Sequence, residues 1–322
     1  MKNHSYRSYH FIKSIAPLMA VFIICISLMY PHTVYAKKDS ISISTINEFY
    51  NSLSDQIINH EAQRIFYVAS DDLLDRLTVR KDFWDGFDDH YNPDNPLQSG
   101  CYTNRLTDGG QASWFTDSRT FNCQLKYRVT KESLDAYLLE MKTIADELRT
   151  DDDYESVKNA HDYLIKRVEY DDSTLGENYT DVEGFRDGKM VCQGYSMATF
   201  VLLSYMGIPV RIVRGEAGTE NDMGRHAWNI VQVDGKWYNL DTTWDDAGGN
   251  DISYAYFLKS NEDFPMHYPS GLYAKSEFTG MISTESYKSP NFASDKAVIW
   301  ILILIVIVAI DVYIIYSKRR QG

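Results

Sequence analysis

The dipeptide Asp234-Gly235 narrows the fold of this 322-residue chain more than any other feature. An Asp-Gly pair suits the two central positions of a hairpin turn, where both residues need φ > 0, and such a turn joins neighbouring antiparallel strands. Residues 226–233 and 236–241 flank it and are rich in Val, Ile, Trp and Tyr, the residue types that fit a pleated, half-buried surface. With the turn there, Val233 pairs with Lys236, and the partner of His226 is Thr243. Asp241 is then a diagonal neighbour of His226 on the same face, roughly 7–8 Å away between backbones and within side-chain reach. A third strand is expected over 210–215. Before it, Cys192 opens an apolar helix that runs to about Met206 and stops at Gly207-Ile208-Pro209.

A cysteine at a helix start sits where unpaired backbone N–H groups and the helix dipole favour an anion, and the thiolate is the reactive form. Cys192 is therefore a candidate nucleophile, although a free cysteine also serves as a small buried hydrophobe. The hairpin adds the other parts. A carboxylate at Asp241 can hold the N–H of the His226 imidazole, fix its tautomer and stabilise the imidazolium. Read singly, His226 is an edge-strand histidine and Asp241 a strand-end cap. Together with Cys192 they form a thiol–imidazole–carboxylate set. Trp228 and Trp244 flank this set, either as packing or as walls of a substrate groove, and Gln193 is a third candidate for contact with substrate. His161 reads as structural and His267 as a surface residue beyond the domain. No cysteine or histidine spacing has the form of a metal site, so no metal and no cofactor are expected. The acidic run Asp151-Asp152-Asp153 reads as a helix N-cap region and not a calcium loop.

Upstream, residues 37–150 read as a smaller N-terminal α/β region. Thr45 and Glu48 fit a capping box ahead of a stripe of Ile46, Phe49, Leu53 and Ile57. Residues 64–70 suggest a strand. Residues 100–130 suggest a β-ribbon turning at Asp108-Gly109-Gly110. Two helical stripes follow, over 131–148 and 153–169, then a polar loop over 170–189. The catalytic domain is assigned to 151–282 and a juxtamembrane linker to 283–296.

The two ends speak of a membrane. Lys2, Arg7 and Lys13 precede an apolar run over 15–30 and the sequence Val34-Tyr35-Ala36, the pattern of a secretory signal over 1–36. Residues 297–316 are mostly Ile, Leu and Val. Twenty residues at 1.5 Å each match a bilayer core of about 30 Å. Lys318, Arg319 and Arg320 would keep a tail, 317–322, in the cytoplasm. The expected arrangement is a single-pass protein of the cell membrane with its body outside. In that oxidising setting Cys101 and Cys123 are expected to pair, leaving Cys192 free. The formal charge of −13 argues against nucleic acid as a partner.

Val191-Cys192-Gln193-Gly194-Tyr195-Ser196, Gly207-Ile208-Pro209, His226-Ala227-Trp228-Asn229 and Trp237-Tyr238-Asn239-Leu240-Asp241-Thr242-Thr243-Trp244, in that order, resemble the bacterial transglutaminase-like superfamily over about residues 154–268. The resemblance implies an α+β fold with a papain-like core, in which the Cys helix packs on an antiparallel sheet. It also implies roles: Cys192 as nucleophile, His226 as general base and then acid, Asp241 as the orienting carboxylate. Animal-type transglutaminases place a Trp shortly before the Cys to help bind the oxyanion. Here no Trp stands between Trp114 and Trp228. The amide of Cys192 is one expected oxyanion donor; Gln193 and Tyr170 are candidates for a second or for packing. The implied activity is a cell-surface cysteine enzyme that forms a thioester acyl-enzyme from a peptide or carboxamide. Hydrolysis of a peptide or protein substrate, such as cell-wall peptide, is the first reading. Protein cross-linking with an amine acceptor, or a non-catalytic adhesion or scaffold module, are the alternatives.

Overall fold

The computed structural model describes residues 40–288, apart from 172, 174–179 and 249–250. The expected signal segment, membrane span and cytoplasmic tail lie outside the described residues. Among the described residues no helix is long and apolar enough to cross a membrane. The described chain divides into two compact units, 40–86 with 107–127, and 87–106 with 128–288. The second unit therefore takes in residues ahead of the boundary drawn at 150.

In the first unit, strand β1 (Ser40–Ile43) runs parallel to β2 (Gln63–Val68) across helix α1 (Ile46–Ile58). Helix α2 (Asp71–Thr78) follows, and β3 (Thr107–Phe115) with β4 (Thr120–Tyr127) completes a four-stranded sheet in the order β1-β2-β4-β3. The Thr45 side chain accepts the Glu48 N–H, as a capping box requires, but the Glu48 carboxylate returns to Ser44 N rather than to Thr45. The α1 stripe is buried through Phe49, Leu53 and Ile57. Phe49 meets Phe66 edge-on at 4.7 Å and Phe121 at 5.6 Å between ring centres, a geometry aromatic pairs favour. The expected turn at Asp108-Gly109-Gly110 is instead a bulge inside β3, with Gly109 at φ +83°; the hairpin turns after Phe115, where Arg119 has φ +49°. Residues 100–106 are helical rather than part of the ribbon.

In the second unit, helices α3 (Lys131–Leu148) and α4 (Asp153–Arg167) precede a short parallel pair, β5 (Glu169–Tyr170) and β6 (Lys189–Met190), separated by α5 (Asp181–Asp187). The acidic run caps α4, with the Asp152 side chain accepting the Glu155 N–H. Helix α6 (Cys192–Tyr205) is buried almost all round: Tyr195, Met197, Ala198, Phe200, Val201, Leu202 and Leu203 expose no surface. A helix with no polar stripe belongs in the middle of a core, and each of its large apolar side chains contributes roughly 1.5–3 kcal/mol by leaving water.

Strands β7 (Val210–Thr219), β8 (Asp222–Val233), β9 (Lys236–Leu240) and β10 (His267–Pro269) form an antiparallel sheet in the order β10-β7-β8-β9. Asp234 and Gly235 both have positive φ, 51° and 75°, and the register runs from Val233↔Lys236 to Asn229↔Leu240, as the turn dictates. It ends there because Asp241 caps a short helix, α7 (Thr242–Asp245), in place of continuing the strand. Strands β7 and β8 each extend beyond their expected ends as one long hairpin closing at Thr219↔Asp222. Residues 283–288 are not linker: Ser283 N donates to Trp237 O, Tyr287 N to Leu258 O, and the Tyr287 ring stacks on Tyr154 at 5.0 Å. The body thus reaches at least Lys288.

The expected Cys101–Cys123 disulfide is not formed. Both are free thiols with 2% exposure, in different units. Burial pushes Cys101 up to about 11 and Cys123 up to about 12, which makes each a packing residue rather than a reactive one.

Candidate active site

Cys192 is the first residue of α6. Its helix begins without a side-chain cap, since Val191 holds the N-cap position, so the N–H groups of the first turn remain for other acceptors. Gly194 lies against Met190: a Cβ there would sit 3.0 Å from the Met190 Cβ, so the glycine lets β6 run close to the helix start. The buried Asn229 ties the sheet to α6 by donating from Nδ2 to Ser196 O at 3.0 Å. This explains an asparagine directly after Trp228, a polar residue amid apolar ones.

The His226 Nε2 lies 2.7 Å from Asp241 Oδ2, and Cys192 is near enough to add to the basicity of the ring. With Nε2 on the carboxylate, Nδ1 is the nitrogen left for the thiol. Asp241 Oδ1 accepts from Thr243 N at 3.0 Å and Trp244 N at 3.3 Å, so the carboxylate caps α7 with one oxygen and holds histidine with the other. Burial alone would lower the basicity of His226. The Asp241 hydrogen bond and then the Cys192 contact outweigh it and raise the ring to about 10. Burial alone would raise the Asp241 carboxyl; the hydrogen bonds from His226 and then His267 hold it below the usual carboxylate value.

These shifts set a pH dependence. A histidine raised from 6.5 to about 10 on folding stabilises the fold fully below about 6.5 and loses that contribution as pH rises through about 10. Thermal melts of the native chain and of His226→Gln should converge across that window. A constant gap between them from pH 6 to 11 would show that the ring is not held as a cation.

His267 is not at the surface. Its side chain is 1% exposed and its Nε2 reaches Asp241 Oδ2 at 3.0 Å. Ala217 is its partner on β7, while Gly215, two residues back, pairs with both His226 and Pro269. A Cβ on Gly215 would fall 2.1 Å from Tyr268 O, so this glycine admits β10 and brings His267 to the carboxylate. The ligand-type atoms of His226, Asp241 and His267 all lie within 4.8 Å of one another, a metal-like grouping among the described residues; hydrogen bonds to the shared carboxylate engage both histidines.

Cys192, Gln193 and His226 line an open cleft of about 1020 Å³, together with Tyr170, Arg225 and Tyr268. The two oxyanion candidates, Gln193 and Tyr170, are thus in the same cleft as the thiol. Arg214, another lining residue, is fixed by Asp88, which also binds Arg105 at 3.0 Å. Trp228 and Trp244 are not among the lining residues. Trp228 is 2% exposed and packs in the core with Val213, Ile230 and Phe264. Trp244 packs against His226 at 5.4 Å and His267 at 4.4 Å. His161 is fully buried between Asp162 at 3.0 Å and Asp245 at 3.3 Å, a structural place under α7.

A helix-start thiol and an imidazole share the wall of one cleft, with a buried carboxylate behind the imidazole. The family model described as Transglutaminase-like superfamily matches residues 142–242, the stretch that carries α6, β7, β8 and β9. Among solved structures, the chain is similar to a candidate cysteine protease from Cytophaga hutchinsonii at 15% identity and TM-score 0.29, covering 42% of this chain and 61% of that one. It is similar to a TGase at 17% identity and TM-score 0.32, covering 51% and 50%. It is also similar to LapG of Legionella pneumophila at 13% identity and TM-score 0.30, covering 43% and 70%. No curated protein matches the chain.

Proposed function

We propose that the chain is a cysteine enzyme that forms a thioester acyl-enzyme from a peptide or carboxamide and then hydrolyses it. The observation that carries this reading is the His226 ring, bonded to Asp241 and lining the same open cleft as Cys192. The Cys192 thiolate attacks the carbonyl carbon, a C–S bond forms, and the carbonyl electron pair moves onto oxygen. The Cys192 amide at the helix start, where the dipole favours negative charge, supports that oxyanion. The His226 imidazolium gives its proton to the leaving nitrogen as the C–N bond breaks. Water then attacks the thioester with His226 as base, releasing a carboxylic acid and the thiol. An amine in place of water would give a new amide. An open cleft favours water as acceptor, so hydrolysis is the reading adopted.

The terminal segments 1–36 and 297–316 support a body outside the cytoplasm, anchored through its C-terminal span and acting on peptide or protein at the cell surface. Protease treatment of intact cells should release a soluble fragment containing Cys192; protection until lysis would invert that topology. For the chemistry, a peptide electrophile should label Cys192 at neutral pH in the native chain and not in His226→Ala. Equal labelling of both proteins would reduce Cys192 to an ordinary thiol.

A further inference from the structure

We propose that His267 is a fourth member of this site, a positioning residue that shares Asp241 Oδ2 with His226 and so sets how tightly the carboxylate grips the reacting imidazole. The inference deepens the reading of Cys192, His226 and Asp241 as the reacting set and rests on it.

Both ring nitrogens of His267 face oxygens that can only accept. Nδ1 lies 3.0 Å from Pro265 O, and Nε2 lies 3.0 Å from Asp241 Oδ2. A backbone carbonyl and an ionised carboxylate have no hydrogen to offer, so a ring N–H must do the donating, and an Nε2–H tautomer gives its hydrogen to Asp241 Oδ2. The surroundings hold the ring in place: Phe264 stacks on it at 3.9 Å, Trp244 lies at 4.4 Å, Trp228 at 5.1 Å and Tyr256 at 5.5 Å between ring centres.

Two donors on one carboxylate oxygen divide its charge. His226 therefore meets a carboxylate already partly neutralised by His267, whose ring centre is 5.6 Å from its own. An imidazolium gripped by an unshared carboxylate would hold its proton too firmly to pass it to a leaving nitrogen. His267 relieves that grip while keeping Asp241 in place. The other titratable or charged groups near His226 are Cys192 on α6, Arg225 beside it on β8, Glu216 opposite Arg225 on β7, and Tyr256, which faces Asp241.

The direction of one titration separates this role from simple packing. Removing a shared donor should raise the His226 titration, whereas loosening Asp241 should lower it. The experiment is a pH titration of His226 by NMR in the full-length chain labelled on histidine, comparing the native protein with His267→Phe, which keeps the aromatic volume, and His267→Gln, which keeps an N–H donor. We expect the midpoint to rise by about one unit in His267→Phe and by less in His267→Gln. Turnover should fall about tenfold in His267→Phe with KM nearly unchanged. A midpoint that stays or falls in whichever variant folds overturns the proposal. The titration needs no substrate, so a failure of the proposed hydrolysis would leave this result readable on its own.

Discussion

Cys192→Ser should leave the fold intact and lower turnover on the order of 100,000-fold. The exchange replaces one atom at a half-buried helix start and removes nothing from the packed side of α6, so the melting temperature should move little. The loss follows from chemistry: a serine hydroxyl at this place is a far weaker nucleophile than a thiolate, and removing the nucleophile of a triad costs about as much as removing the whole set. The same variant makes a second prediction. The Cys192 contact is one of the two causes that raise His226 to about 10, so the imidazole of Cys192→Ser should titrate below that value, with Asp241 still supporting it. Steady-state turnover and a histidine titration on one protein sample check both. Turnover near the native level would move the chemistry to another group, and an unmoved histidine would show that the thiol and the ring are not coupled.

The central hairpin and the nearness of His226 to Asp241 were legible because their signals are local. Asp234-Gly235 fixes a turn and the turn fixes register as far as Asn229↔Leu240; the expected pairing of His226 with Thr243 does not form, and Asp241 reaches His226 from the cap of α7 just past the strand end. The end of α6 was legible from an apolar run stopped by Gly207-Ile208-Pro209. His267 was not, for a physical reason. It stands 26 residues beyond Asp241, on a three-residue strand with no periodicity, and only the missing side chain at Gly215 lets that strand close on β7. Asp108-Gly109-Gly110 misled because a bulge and a turn both need a residue with φ > 0, and sequence alone does not say which. The Cys101–Cys123 pairing came from counting thiols by compartment, which carries no geometry; burial of each thiol in its own unit is the finding that replaced it. Trp228 and Trp244 looked like groove walls because they flank the reacting residues in sequence. Neither lines the cleft; both pack around His267, 5.1 and 4.4 Å from its ring.

Asp241→Asn should keep the cap on α7 and lower turnover about 10,000-fold, the cost seen when an orienting carboxylate becomes an amide. Asparagine is as good an N-cap as aspartate, so its amide oxygen can take over the bonds from Thr243 N and Trp244 N that Oδ1 now accepts. That choice forces the NH₂ group toward His226 and His267, where Oδ2 now receives both Nε2 atoms at 2.7 and 3.0 Å. Donor would face donor unless both rings give up a proton. The His226 imidazolium then loses the largest of the causes that raise it, and the tautomer that offers Nδ1 to the thiol is no longer selected. Turning the amide over would restore the histidine bonds and abandon the α7 cap, a loss of roughly 1 kcal/mol. Either way the variant should fold, melt a few degrees lower and fail chiefly in turnover, with KM close to native. Parallel measurement of melting, KM and turnover checks this. A variant that turns over within tenfold of native would make Asp241 a helix cap and nothing more, and the reacting set would then be a Cys192–His226 pair.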